Sequence, residues 1–282
     1  MKPRDFYKKV HGSWCALVLL AFAPDALAWG LQTHLFYAHY AVLAVPFIDP
    51  ELRRAAARLP GLVLAGACLP DLALAGIALG TPVFRRAHRW STLRRLAATP
   101  RDDAERALAL GYASHLVTDV IAHNRFVPEH EARLANISHV THAIAEWAMD
   151  DHVQNDFAPR PSGVLSSHHE QAAAFAARSF RCDEALARRA LRLLERADGA
   201  LRATPVPRLC RRLLSLYEKN VPQHFEAYIR RAFLTLRALE PALEGCFVDW
   251  ESSDPEGQAG DRVADRRARQ HVARIVQAEN HP

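Results

Sequence analysis

From residue 31 almost to the C-terminus, apolar positions recur at intervals of three and four, the period of helices buried along one face. Ala, Leu and Arg fill these segments, β-branched runs are short, and Gly and Pro fall mainly between them. The pattern predicts helices over 31–45, stopping before Pro46, over 50–59, and over a largely apolar stretch 62–79 broken at Pro70. Gly80-Thr81-Pro82 reads as a turn. Asp102 or Asp103 is placed to cap a long helix that runs to Asn124 and is ended by Pro128. Another helix contains His139 to His152, and amphipathic, Arg-rich helices are expected over 166–180, 183–203, 206–242 and 260–278. Residues 159–163 and 252–260 are the loop candidates. The fold class is therefore all-α, a multi-helix bundle, with no internal repeat.

The first 28 residues break this pattern. Lys2, Arg4, Lys8 and Lys9 precede the apolar run Trp14–Ala23, which is followed by Pro24-Asp25-Ala26-Leu27-Ala28. A basic start, a short apolar stretch and an Ala-x-Ala end describe a secretory signal peptide cut after Ala28. Ten apolar residues are too few to span a bilayer, and no later stretch reaches about 18 without a charge. The expectation is export, to the periplasm or beyond the cell. The signal would take four bases and two acids with it, lowering the formal charge from +5 to +3. A charge that small does not by itself imply nucleic acid and weakens the case for a generic anion-binding surface. Cys68, Cys182, Cys210 and Cys246 would remain where disulfides form, in any of three pairings, with Cys68 simply buried as the plainer alternative.

One count is out of line: 15 histidines against two methionines and 12 glycines. Their positions carry chemistry. His115, Asp119 and His123 are spaced by four, so on one helix they form a single stripe that drifts about 40° per step. His115 and His123 are then about 12 Å apart along the axis, too far to share one zinc with bonds of roughly 2 Å. His142 and Glu146 repeat the i,i+4 pair on the next helix. An isolated pair of this kind is more often a surface contact than a site, but helices that present such pairs inward build polynuclear metal centres. Cleavage after Ala28 would free the amine of Trp29, which with its own carbonyl can chelate a metal, and His34 follows closely. Asp71, just after Pro70 in an apolar stretch, needs a buried partner. His88 follows a turn and completes the set.

The order Trp29, His34, Asp71, His88, His115, Asp119, His123, His142, Glu146 resembles the zinc-dependent phospholipase C superfamily, which includes fungal single-strand-specific nucleases. The resemblance covers about residues 29–150. It implies an all-helical, secreted bundle holding three zinc ions, with Asp71, His88, His115 and Asp119 on the first. Trp29, His34 and a shared Asp119 would hold its close neighbour, and His123, His142 and Glu146 the third. Three residues separate Asp119 from His123, where the family leaves five, so His130 or His139 stand as substitutes for His123 or His142 and Asp150 as the fallback carboxylate. The implied domain plan is a signal peptide over 1–28, a metal-binding core over 29–160, and a helical region over 161–282 that completes or flanks the same domain.

The function this implies is zinc-dependent hydrolysis of a phosphodiester, with phospholipid as the favoured substrate. Zinc lowers the pKa of a water and neutralises charge on the phosphate oxygens. Asp71 is both ligand and candidate catalytic base. Single-strand nucleic acid is the alternative substrate, and Phe36, Tyr37, Trp90, Phe126 and Trp147 lie near enough to the ligands to stack bases, line a headgroup site or pack in the core. From another class comes a zinc-stabilised helical protein that binds lipid or a partner without turnover. The charged tail 261–277 reads as a solvated helix, with peripheral membrane contact the lesser expectation.

Overall fold

The structure, a computed structural model, describes residues 30–98, 100–133, 138–154 and 159–246. The signal segment, Trp29, the side chain of His139, and the tail 252–278 lie outside the described residues. Among the described residues the chain is helical throughout, with no strand. In chain order the helices are α1 (Leu31–Ala44), α2 (Pro50–Arg58), α3 (Pro60–Ala67), α4 (Leu72–Ala78), α5 (Trp90–Ala97) and α6 (Asp103–Ile121). A π-helical turn, Ala122–Phe126, leads into α7 (Val127–Arg133) and α8 (Ser138–Gln154). The C-terminal part consists of α9 (Pro161–Ser167), α10 (His169–Phe180), α11 (Glu184–Arg202), α12 (Val206–Tyr217), α13 (Val221–Thr235) and α14 (Leu239–Leu243).

Helix α6 is the axis of the molecule. Asp102 caps it, its side chain accepting from the Glu105 amide, and every residue from Ala107 to Ile121 is buried. A helix buried all round must be wrapped by others. Helices α1, α2, α3, α5, α13 and α14 pack on α6, and α8 lies between α1 and α12. One apolar core runs from Leu31 to Ala242 and includes Leu110, Leu116, Val117, Met149, Leu191 and Phe225.

The α3 and α6 backbones approach closely where they cross. A Cβ on Gly111 would lie 1.9 Å from the Val63 carbonyl oxygen, and one on Gly66 2.2 Å from the Leu108 oxygen. Only hydrogen at both positions lets the two backbones meet.

Several predicted boundaries move. Pro128 does not end the long helix. Its ring would clash with the carbonyl of residue 124 in a regular helix; the π turn just before it widens the backbone, and the helix resumes as α7. The expected loop 159–163 contains the start of α9, with Pro161 in its first turn, where a missing N–H costs nothing. The expected helix 206–242 breaks at Glu218, whose backbone is extended, and restarts ahead of Pro222. Helix α5 has no counterpart among the predicted segments. All four described cysteines are free thiols, and Cys68 is fully buried. No single described helix is long and apolar enough to cross a membrane.

Candidate metal centre

Four parts of the core converge on one polar cluster. Helix α6 contributes His115 and Asp119, a turn apart and buried. Helix α1 contributes His34, and its first turn is held in place by Asp150, which accepts from the Thr33 amide at 2.9 Å and the Thr33 hydroxyl at 2.6 Å. Asp71 sits at the N-cap position of α4 but makes no cap hydrogen bond, which leaves its carboxylate for the cluster. His88 ends the turn before α5. Two contacts pin that turn: Thr92 Oγ1 donates to the Arg86 carbonyl at 2.7 Å, and Tyr112 of α6 donates to the Ala87 carbonyl.

The distances define two overlapping groups. Asp71, His88 and His115 bring ligand atoms within 4.8 Å of one another, and so do His34, His115 and Asp119. Asp119 spans them: Oδ1 lies 3.2 Å from His34 Nε2, and Oδ2 lies 3.0 Å from His115 Nε2. His88 Nε2 is 3.3 Å from Asp71 Oδ1 and 3.1 Å from His115 Nε2. The His34 and His115 rings stack at 3.5 Å.

These spacings fit a metal. Two donors bound to one tetrahedral zinc at about 2.0–2.1 Å lie about 3.3–3.4 Å apart, close to the separations just given. His115 Nδ1 is 2.8 Å from the Ala67 carbonyl, which can only accept, so Nδ1 carries the proton and Nε2 offers its lone pair. Both oxygens of Asp119 and both of Glu146 are buried without a hydrogen bond of acceptable geometry. Such atoms are rare unless a cation satisfies them.

A second pole of the site lies where α6 passes into the π turn. His142 Nε2 is 2.9 Å from Glu146 Oε1, and the His123 ring is 5.6 Å from that of His142. The Val127 amide bonds the Ala122 carbonyl, five residues back, so the turn that carries His123 is wider than the helix that carries His115 and Asp119. His123 stands in that turn with its ring beside that of His142, while His130, considered as its substitute, belongs to a different group with Glu218 and His224. Asp150 also leaves the ligand list, because it is occupied by Thr33 and, at 2.6 Å, by Arg202.

The electrostatics agree with the geometry. Burial would push the Asp119 carboxyl up, but the His115 and His34 imidazoles outweigh it and hold it well below the usual carboxylate range. Burial, with the charges of Asp71, Asp119 and Asp150, pushes Glu146 well above that range. Burial lowers His123 to about 3, with Asp119 opposing and His142 adding to the effect, so its imidazole is neutral and can bind a cation.

Sequence reasoning missed the supports: the Ala67 carbonyl behind His115, Tyr112 behind the His88 turn, and Asp150 behind α1. The glycine pair 66/111 was the available signal for the first of these. Of the aromatic residues near the ligands, Tyr37, Trp90, Phe126 and Trp147 are buried core residues, and Phe36 is half-buried against Phe233.

Residues 33–195 of the chain, more than half of it, match the family model described as zinc dependent phospholipase C. No curated protein and no solved structure matches the chain.

Proposed function

Because the chain belongs to the zinc-dependent phospholipase C family, we propose that it hydrolyses a phosphodiester of the phospholipid type, and that it does so after export. One observation carries the reading: Asp119 places its two oxygens on two different imidazole groups, the arrangement of a carboxylate shared by two neighbouring metals. Asp71, His88, His115 and Asp119 would hold one zinc ion. His34 and Asp119 would hold the next, together with the amine and carbonyl of Trp29. His123, His142 and Glu146 would hold a third.

When bound, zinc lowers the pKa of a water and screens the charge that builds on phosphate. The chain's own groups supply position and proton handling. Asp71, whose Oδ1 lies 3.3 Å from His88 Nε2 and 4.0 Å from His115 Nε2 within the ligand group, would orient the attacking water and take its proton through its other oxygen. The Ala67 carbonyl keeps His115 in one tautomer. The stacked His34 ring leaves His115 no room to turn.

Phospholipid is favoured over single-stranded nucleic acid on the burial of four of the five aromatic residues that sequence placed near the ligands. A nuclease of that type needs exposed rings on which bases stack. Hydrolysis of a chromogenic phosphocholine ester, assayed beside cleavage of single-stranded DNA and beside elemental zinc content, tests the proposal. Ester hydrolysis that is lost on chelation and restored by zinc is the expected result. DNA cleavage alone would transfer the reading to the nuclease branch. Zinc with neither activity would leave a metal-stabilised binding protein.

A further inference from the structure

A second cluster lies where α7 meets the break between α12 and α13, and it shares no residue with the centre on α6. His130 of α7, Glu218 at the end of α12 and His224 in the first turn of α13 bring ligand atoms within 4.8 Å of one another. His130 is 1% exposed. Its Nδ1 lies 2.7 Å from the Phe126 carbonyl, so Nδ1 holds the proton and Nε2 is the acceptor. That Nε2 is buried without a hydrogen-bond partner. The His130 and His224 rings stack at 5.4 Å, against Phe225 and Phe126.

The geometry points to a separate binding site for a divalent metal ion of the zinc class, held by His130 Nε2, Glu218 and His224 Nδ1. Two imidazole nitrogens and one carboxylate oxygen are a donor set that zinc accepts, with a fourth position for water. A further layer is already built. His224 Nε2 lies 3.2 Å from Glu129 Oε1, and the Tyr228 hydroxyl donates to Glu129 Oε2. A histidine that binds metal through one nitrogen and donates to a carboxylate from the other is held in tautomer and orientation. Loading asks for one small movement. His224 Nδ1 and Glu218 Oε2 are 2.7 Å apart and must open to about 3.3 Å around a tetrahedral ion.

The competing arrangement is a protonated His224 bridging Glu129 and Glu218. It satisfies His224 but leaves His130 Nε2 buried with nothing to accept, which native cores rarely tolerate. A metal answers both.

The site would also have mechanical consequences. Glu218 and His224 lie beyond the matched stretch 33–195, whereas His130 lies within it. An ion here ties the last helices to α7, which directly follows the π turn that carries His123.

Zinc counting on the purified full chain tests this, with Glu218→Gln and His130→Gln made separately and in the background of Asp119→Asn. Each variant should hold one equivalent fewer than its parent, and Asp119→Asn alone should keep the equivalent that Glu218→Gln loses. Equal zinc content in wild type, Glu218→Gln and His130→Gln would overturn the site. Should both variants fail to fold, anomalous diffraction at the zinc edge from wild-type crystals decides. A peak between His130 and His224 supports the site, and its absence overturns it.

Discussion

Asp119 is the residue on which the centre depends. Its carboxylate faces His34 with one oxygen and His115 with the other, and an amide in its place has one acceptor oxygen and no charge. Asp119→Asn should therefore lose two zinc equivalents by elemental analysis, while His123→Ala, at the other pole, should lose one. Equal losses would show that Asp119 does not bridge. The companion carboxylate, Glu146, makes the same point from the opposite side. Burial and three neighbouring acids hold its carboxyl well above the usual range, so its ionised form needs a cation beside it.

Among the helices, the α3–α6 crossing sets the register of the centre. Gly66 and Gly111 let α3 lie against α6 closely enough for the Ala67 carbonyl to reach His115 Nδ1 at 2.8 Å. Gly111→Ala would place a Cβ 1.9 Å from the Val63 oxygen and 2.8 Å from the Ala67 amide nitrogen, both of them backbone atoms. The helices must then separate. We expect a loss of about 1–3 kcal/mol, as for other overpacked cores, together with weaker zinc binding as His115 loses its support. Gly163, in α9, has open space around its Cβ position. Gly163→Ala should be neutral or stabilising by up to about 1 kcal/mol. Urea melts and zinc titrations of the two variants check both expectations, and similar behaviour would refute the crossing argument.

For the molecule as a whole, a buried ion cluster joins the N-terminal helix to the C-terminal part. Arg202 of α11 donates to Asp150 at 2.6 Å and to Asp198 at 2.7 Å, and Asp150 in turn holds the first turn of α1. Burial pushes the Asp198 carboxyl up to about 6, with Arg202 pulling it down and Asp150 pushing it further up. Between its ordinary value of 3.8 and about 6, the folded protein holds a proton that the unfolded chain has released. That contribution to stability is complete below 3.8 and disappears as pH rises through about 6. Asp198→Asn keeps a neutral hydrogen-bonding group and removes the titration. Thermal melts across this window should show the wild-type advantage over Asp198→Asn shrinking as pH rises; a difference that does not change with pH would refute the shifted carboxyl.

Much of this was legible in the chain alone. Helical periodicity identified an all-α molecule, because burial of one face repeats every 3.6 residues whatever the helix packs against. The spacing of His115 and Asp119 placed both on one buried face, because four residues nearly complete a helical turn. Their junction with His34, Asp71 and His88 depended on how distant segments cross, which no local pattern encodes. The π turn at Ala122–Phe126 lets the chain run on past Pro128 into α7, and a register defect of one residue leaves no composition signal. The helix expected over 206–242 breaks after α12 instead, and the meeting of Glu218 and His224 with His130 arose only when that break folded onto α7. Residue types and intervals are properties of the chain; mutual distance between segments is a property of packing, and metal binding is decided by distance.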